Sequence, residues 1–536
     1  MNPDDRQLLS GNSAIALAAF HAGVALGTGY PGTPSTEILE SLSRLGGKSQ
    51  WAPNEKVALE VGIGVAYGGA RALVTMKHVG LNVAADPFFS VAYTGVVGAL
   101  VIVSADDPGM SSSQNEQDNR RYAVAAGVPM LEPADSQDAY DFTLAAIEIS
   151  ERWRIPVLLR VTTRICHTQS VVRSRMVAPP PSAPHFEHDL KGRNLIPPNA
   201  RPAHRRLRQK LADIEAWGET SGLNRHIPGA TGLGIVTSGV CTMHAREAAP
   251  DASILKLGLT HPLPMKTIAR FVGSVEKCLV IEENDPYLAD ALRAAGHTVA
   301  SKPDRFRCGE LSVDRVRRIL TNDTSAEPVR PPGRAPELCD GCSHRVVFQA
   351  LHNLDCIVAG DIGCYALGVL PPFSAMDCCV CMGSSIGIGL GLRHVLPRDE
   401  AKRVVSVIGD STFVHSGMTG LAEMIYNPPA TGHVVIILDN ETTAMTGHQE
   451  HPGTGRTMSH QPTGKVSYED LGRALGIEDV HVMHLGKDPA EFEQLLKTCL
   501  ANEKLALIIA RRPCVLVARN IREYQKCAVA LETLPV

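Results

Sequence analysis

Between residues 8 and 170, stretches with helical spacing of apolar positions alternate with short apolar runs that read as buried strands. SAIALAAFHAGV, STEILESLSRL and KVALEVGIGVAYGGA carry the helical pattern, ALGTGYPGTPS separates the first two, and ALVTMKH, ALVIVSA and PVLLRVTT are strand-like. This rhythm predicts a parallel sheet with helices on both faces. The run PFFSVAYTGVVGALVIVSA, residues 87–105, approaches the length of a membrane span. Tyr93, Thr94, Gly95 and Gly98 interrupt it, so a helix over SVAYTGVVGA followed by a buried strand LVIVSA is expected instead.

From about residue 172 the pattern dissolves into proline-rich, basic sequence, and it resumes near 229 with the strand-like runs GLGIVTSG, ASILKLG and KCLVIEEN. The proline-rich SAEPVRPPGRAP then opens a last block with strands at CIVAGDIG, RVVSVIGD, HVVIILDN and LALIIARR. The expected organisation is α/β throughout, with domains at 1–175, 229–325 and 326–536 and a linker at 176–228 that ends in a short helix. Arg205, Arg206, Arg208 and Lys210 on that helix read as a solvated face rather than a phosphate site. The first and last blocks have the size and rhythm of cofactor-binding domains, and no solenoid repeat is visible.

Composition narrows the functional classes. The 536 residues are 44% apolar and 20% charged, with a net charge of −4, which supplies no long-range attraction to nucleic acid or an anionic membrane. The first residues, MNPDDRQLLSGN, are polar and lack the apolar core of a secretory signal, so a cytoplasmic location is expected. In that setting the 14 cysteines read as thiols or metal ligands. Cys166, Cys241, Cys278, Cys308, Cys356, Cys499 and Cys527 stand alone and read as small apolar residues.

The densest chemical signal is RVVSVIGDSTFVHSGMTGLAEMIYNPPATGHVVIILDNETTAMTGHQ, residues 403–449. One apolar strand ends in Gly409–Asp410 and the next in Asp439–Asn440, so an acid and an amide reach the carboxyl edge of one sheet, where open α/β sheets bind ligands. A carboxylate with neutral oxygens suits Mg2+ completed by substrate phosphates. Gly409 and Gly417 would admit a diphosphate close to the backbone. The plain alternative is a pair of buried strands with polar ends. A second signal, LCDGCSHR at 338–345, leaves half a zinc site, a redox disulfide, part of an iron–sulfur cluster or a simple turn open.

The GDS…DNETT pattern resembles the thiamine diphosphate (ThDP) and Mg2+ motif. Its continuation TTAMTGHQEHPGTG is similar to the α subunits of indolepyruvate:ferredoxin oxidoreductases, within the wider 2-oxoacid:acceptor oxidoreductases. GTGYPGTPSTEI, NEKVALE, TMKHVGLNVAADP and ADDPGMSSSQNEQDNRRYA carry the same resemblance in the first block. It implies a pyrimidine-binding first domain, a transketolase C-terminal-like second domain and a diphosphate-binding third domain, the first and third paired within or between chains. By that resemblance Glu55 meets the aminopyrimidine of ThDP, although a helix-entry charge favoured by the macrodipole reads equally well locally. Thr33, beside Gly32 in the YPGTPS loop, would contact the keto acid, although Thr33–Pro34 also looks like a helix N-cap and first turn. Lys77 and His78 are implied candidates for substrate contact or proton transfer. Asp410, Asn440 and Thr442 would hold Mg2+, and Gly383, Gly409, Ser411, Thr446 and Gly447 would line the diphosphate.

The resemblance implies oxidative decarboxylation of a 2-oxoacid to an acyl-CoA and CO2, a smaller γ-type partner in a dimer of heterodimers, and ferredoxin or another electron acceptor. A non-oxidative ThDP decarboxylase or lyase and an idle scaffold subunit are the rivals. It also implies a [4Fe–4S] cluster on Cys339, Cys342, Cys364 and Cys514, with Cys378, Cys379 and Cys381 as competitors. Two departures matter for the substrate. Pyruvate-using relatives place an Arg after the ALVIVSA-type strand, where this chain has Asp106–Asp107, and an Asn where it has Met445. A larger aryl or branched 2-oxoacid such as indolepyruvate is therefore expected, its carboxylate meeting Arg120 or Arg121. A further departure is that no ferredoxin-like cysteine runs follow Cys514, so electrons are expected to leave through a partner.

Overall fold

A computed structural model describes residues 6–175, 177, 183–328, 336–486 and 490–532, with side chains to 526. The expectation for Cys527 lies outside the described side chains. The chain forms two compact units, 1–328 and 329–536.

The first unit is built on a seven-stranded sheet. Its strands run in the order Leu259–His261, Met130–Leu131, Val157–Thr162, Leu100–Asp106, Ala72–Lys77, Leu26–Gly29 and Ser49–Trp51. All neighbours pair in parallel except Leu259–His261, which is antiparallel at the edge. Leu100–Asp106 is buried along its whole length, which explains why it reads as an unbroken apolar run ending in an acid. The preceding helix covers Ala85–Thr94 and stops at Gly95 in a positive-φ conformation. Among the described residues no helix is long and apolar enough to cross a membrane. A second sheet, Ala300–Ser301, Lys277–Ile281, Leu233–Ser238, Ser253–Leu257 and Arg225–Ile227, is parallel but for its last strand.

The basic segment between these sheets carries a helix of 22 residues, Pro197–Gly218, longer than the short helix expected. Two prolines occupy its first positions, where their missing N–H groups cost nothing. It buries Ala203, Leu207, Leu211 and Ile214, while Arg205, Arg206 and Arg208 face solvent, as their spacing requires.

The second unit holds one five-stranded parallel sheet in the order Ile357–Ala359, Val404–Gly409, His433–Asp439, Leu505–Arg511 and Asp479–His484. Apolar cores cover both faces, one around Phe348, Val407 and Ile508, the other around Ile408, Phe413 and Leu507. Gly409 pairs with Leu438, so Asp410 and Asp439 leave the sheet side by side at its carboxyl edge. The edge strand Asp479–His484 escapes periodicity because two of the positions that alternate toward the core are Asp479 and His481.

Candidate active site

In the first unit, the strand Leu26–Gly29 runs into the YPGTPS loop. Its helix begins at Thr36 with Ser35 as N-cap, so Thr33 is not the cap its sequence suggested; the Thr33–Pro34 peptide is cis and Thr33 is half-buried. The loop ties itself together instead. The Gly32 N–H donates to Thr36 Oγ1 at 2.9 Å, and Ser35 Oγ donates to the Gly32 carbonyl at 2.9 Å. Gly32 packs on Lys77 so closely that a Cβ there would lie 3.1 Å from Lys77 Cβ.

Glu55 opens the helix Glu55–Tyr67 behind Asn54, whose side chain accepts from the Val57 N–H at 2.9 Å. The Glu55 side chain is buried, and Gly80 faces it: a Cβ at 80 would sit 2.5 Å from Glu55 Oε1. Any larger residue there would displace the carboxylate. Lys77 Nζ donates to the Ser112 carbonyl at 2.8 Å. Burial pulls its ammonium below the ordinary lysine value, against the opposing pull of the Asp107 and Glu55 carboxylates. His78 is fully buried with Nε2 3.1 Å from Asn115 Oδ1, and its Nδ1 has no hydrogen-bond partner.

The expectation that Arg120 meets a substrate carboxylate does not hold. Arg120 is wholly buried, with its guanidinium 2.6 Å from Glu282 and 2.7 Å from Asp118 and donating to the carbonyls of Glu283 and Asp285. Arg160 completes this network, 2.8 Å from Asp106 and 2.6 Å from Glu132. Arg121 is half-exposed, over the Tyr287 ring and 4.0 Å from Asp290.

In the second unit, Asp410 follows its strand into a helical turn. Its carboxylate accepts from the N–H groups of Ser411 and Glu441, both at 2.8 Å, and His451 Nε2 lies 3.3 Å away. Asn440 Oδ1 accepts from the Thr442 N–H at 3.1 Å, and Thr443 Oγ1 donates to Ser411 Oγ at 2.8 Å. Thr446 Oγ1 donates to Gln449 Oε1 at 2.6 Å, and Gly447 adopts a φ of 123°, which side chains rarely tolerate. Gly383 also has a positive φ, and a Cβ there would fall 2.4 Å from Ser416 Cβ. At Gly409 a Cβ would fall 2.6 Å from the Tyr365 ring. The sheet edge is therefore a close-fitting backbone cradle.

Charge accumulates at this edge. Asp439, paired with Arg511 at 2.6 Å, is pushed up to about 6 by burial and by the neighbouring Asp410 carboxylate. That excess of negative charge in a desolvated place is what a divalent cation would offset.

Sequence reasoning missed three residues here. Asp361 is fully buried and accepts from the Gly383 N–H at 2.8 Å and the Ser385 N–H at 3.0 Å, holding the glycine-rich turn. The strand-ending GD of CIVAGDIG, the same signature as Gly409–Asp410, could have revealed it. His451 in GHQEHPG and His344 in CSHR carried no comparable signal. Burial pulls His344 down to about 4, so it is neutral near Asp410.

Cys339, Cys342, Cys364 and Cys514, from three separate segments, line one cavity of about 190 Å³ together with Asn440 and His448. The Cys514 N–H donates to the Asn440 carbonyl at 2.9 Å, joining this cavity to the Asp410 edge. Burial first, then the neighbouring sulfurs Cys342, Cys514 and Cys339, push the Cys364 thiol up to about 11. Among the described residues no three of these sulfurs come within 4.8 Å of one another. Tetrahedral zinc, at about 2.3 Å from each thiolate, would need them roughly 3.8 Å apart. The donor set fits a larger, thiolate-ligated cluster. Cys378, Cys379 and Cys381 lie elsewhere, with Cys379 Sγ 3.4 Å from the Asp361 carbonyl.

Comparison with known proteins turns this geometry into a class. Residues 17–209 match the family "Pyruvate flavodoxin/ferredoxin oxidoreductase, thiamine diP-bdg", and residues 361–510 match "Thiamine pyrophosphate enzyme, C-terminal TPP binding domain". A solved 2-oxoglutarate:ferredoxin oxidoreductase from Magnetococcus marinus shares the fold, with a TM-score of 0.51 at 17% identity over 60% of this chain and 66% of that one. The protein is thus a catalytic subunit of the thiamine-diphosphate-dependent 2-oxoacid oxidoreductases. Indolepyruvate oxidoreductase subunit IorA of Methanothermobacter marburgensis is 38% identical over 99% of this chain and 91% of its own, and that of Archaeoglobus fulgidus is 37% identical over 97% and 88%. Within the class, the chain belongs to the IorA family.

Proposed function

We propose that the chain oxidatively decarboxylates an aryl or branched 2-oxoacid of the indolepyruvate type. In the balanced reaction the 2-oxoacid anion and coenzyme A give acyl-CoA, CO2, a proton and an electron pair. The observation that carries this reading is the convergence of Cys339, Cys342, Cys364 and Cys514 on the cavity shared with Asn440. Thiamine diphosphate supplies the nucleophilic carbon and electron sink for decarboxylation. Glu55, buried at a helix entry opposite Gly80, would share a hydrogen bond with N1′ of the aminopyrimidine. Asp410, Asn440 and Thr442 hold Mg2+, with Gly383, Gly409, Ser411, Thr446 and Gly447 around the diphosphate. Thr33 and His78 are assigned to the substrate side. The four cysteines hold a [4Fe–4S] cluster, which would supply a one-electron outlet.

Substrate size follows from two positions. Asp106–Asp107 stand where pyruvate-using relatives carry Arg, and Arg160 pairs with Asp106 inside the fold. Met445, 55% exposed in the turn Ala444–Thr446, presents an apolar surface. A smaller γ-type subunit in a dimer of heterodimers, and ferredoxin or a similar acceptor, complete the proposal.

The test is anaerobic turnover of indolepyruvate, phenylpyruvate, a branched 2-oxoacid and pyruvate with coenzyme A, a viologen dye and the partner subunit, alongside iron and labile-sulfide assays. The expected result is preference for the aryl acids, dye reduction dependent on coenzyme A, and iron that disappears in Cys342→Ser. Decarboxylation without dye reduction and without iron would establish the non-oxidative lyase instead. Glu55→Gln should lower turnover roughly 10²–10⁴-fold; unchanged turnover would remove Glu55 from its role.

A further inference from the structure

The edge strand Asp479–His484 carries a cluster that the ThDP chemistry does not use. Strand alternation puts Asp479 and His481 on one face, and their partners on the neighbouring strand are Ala506 and Ile508 of the core around Phe348. The helix Ala490–Asn502 covers that face with Phe492, Leu496 and Cys499, at the four- and three-residue spacing of a helix stripe. Asp479 and His481 therefore point at a buried thiol where apolar packing would otherwise continue. One ligand atom from each of Asp479, His481 and Cys499 lies within 4.8 Å of the others. Asp479 Oδ1 is 2.6 Å from His481 Nε2, whereas Asp479 Oδ2 is buried with no hydrogen-bond partner. An orphaned carboxylate oxygen beside a thiol and an imidazole is costly without a further partner.

We infer that Asp479, His481 and Cys499 form a zinc-class metal site that clips the edge strand to the helix Ala490–Asn502, with a fourth position for water. The donor set of thiolate, imidazole and carboxylate is the one that a borderline-soft divalent ion selects. A tetrahedral ion would hold the three atoms at separations of roughly 3.2–3.8 Å.

Cobalt titration of the full chain tests the site, because thiolate-bound Co2+ absorbs through sulfur-to-metal charge transfer. One equivalent of this absorption should be present in the wild type and in Cys342→Ser, and absent in Cys499→Ala and in His481→Asn. The His481→Asn variant changes a half-exposed residue and keeps the test valid if Cys499→Ala fails to fold. Zinc should raise the melting temperature of the wild type by roughly 5 °C and leave His481→Asn unmoved. The same cobalt equivalent in both variants, or no Cys499-dependent band in the wild type, would overturn the inference. Asp479 and His481 would then be inward-pointing polar residues that merely discourage edge-to-edge pairing.

Discussion

The carboxyl edges of the two main sheets handle buried charge in opposite ways. In the first unit, Asp106, Asp118, Glu132 and Glu282 surround Arg120 and Arg160 at 2.6–2.8 Å, so the charges neutralise one another inside the protein. In the second, Asp410 meets neither Arg nor Lys among the described residues; His451 Nε2 lies 3.3 Å from its carboxylate, and the proximity of Asp410 helps to push the Asp439 carboxyl up. A self-compensated edge is structural, because any ligand would have to break ion pairs to use it. An uncompensated edge is the one at which a cation is proposed. This contrast explains why Arg120, attractive in sequence as a substrate anchor, is part of the scaffold, while the proposed cation site falls on Asp410.

The contrast is broken most directly by replacing Arg160 with Met. Asp106 and Glu132 would lose their shared partner, and the first unit should lose about 3–5 kcal/mol, read as a lowered urea midpoint. A shift below about 1 kcal/mol would mean that the network carries no structural role. The matching change in the second unit, Asp410→Asn, should have the opposite character. The cofactor-free chain keeps its stability within about 1 kcal/mol, while affinity for ThDP with Mg2+, measured calorimetrically, falls at least roughly 100-fold. Undiminished affinity would contradict the cation site.

A smaller effect separates the units by pH. Burial pushes Glu283 in the first unit up to about 7, above its ordinary 4.5. The folded state holds that proton more tightly than the unfolded one, so this contribution is full below pH 4.5 and is lost as pH rises toward 7. His344 in the second unit is held down to about 4 from 6.5, so its contribution is full above pH 6.5 and is lost as pH falls toward 4. Pulse proteolysis between pH 4.5 and 7, followed on peptides of each unit, should show opposing contributions of up to about 1.4 kcal/mol per pH unit. Glu283→Gln and His344→Asn should each flatten one slope; slopes unchanged in both variants would refute the assignment.

The smallest expected effect sharpens the cysteine assignment. Cys381→Ser, outside the four-cysteine cavity, should leave iron content unchanged, in contrast to Cys342→Ser. Equal iron loss in both would mean that the DCCVC segment contributes a ligand.

Much of the fold was readable because buried parallel strands are written locally. Runs such as LVIVSA, RVVSVIG and HVVIILD are covered on both faces and must be apolar throughout, and the acid that ends each one marks the carboxyl edge of a sheet. Edge elements were not readable. Met130–Leu131 and Leu259–His261 are too short to show a period, and Asp479–His484 turns polar residues inward. At the sheet edge, spacing placed Asp410 and Asn440 at the ends of neighbouring strands, as the fold has them, whereas Asp361 sat behind the same GD signature unread. Thr33–Pro34 imitated a helix start because residue types alone do not reveal that the backbone turns two residues later, at Ser35.

What the sequence determined by itself was the α/β class, the strand ends that carry acids and amides, and a set of motifs specific enough to name a cofactor. These are properties of contiguous residues, and local periodicity with short-range turn chemistry is enough to encode them. The family resemblance singled out Cys339, Cys342, Cys364 and Cys514 among the 14 cysteines, and the fold brings them to one cavity; tertiary structure alone decided that Arg120 is consumed by an ion-pair network and that Asp479, His481 and Cys499 converge. Each of those depends on segments far apart in the chain being brought within a few ångströms, and burial then determines which charges are matched and which still need a partner.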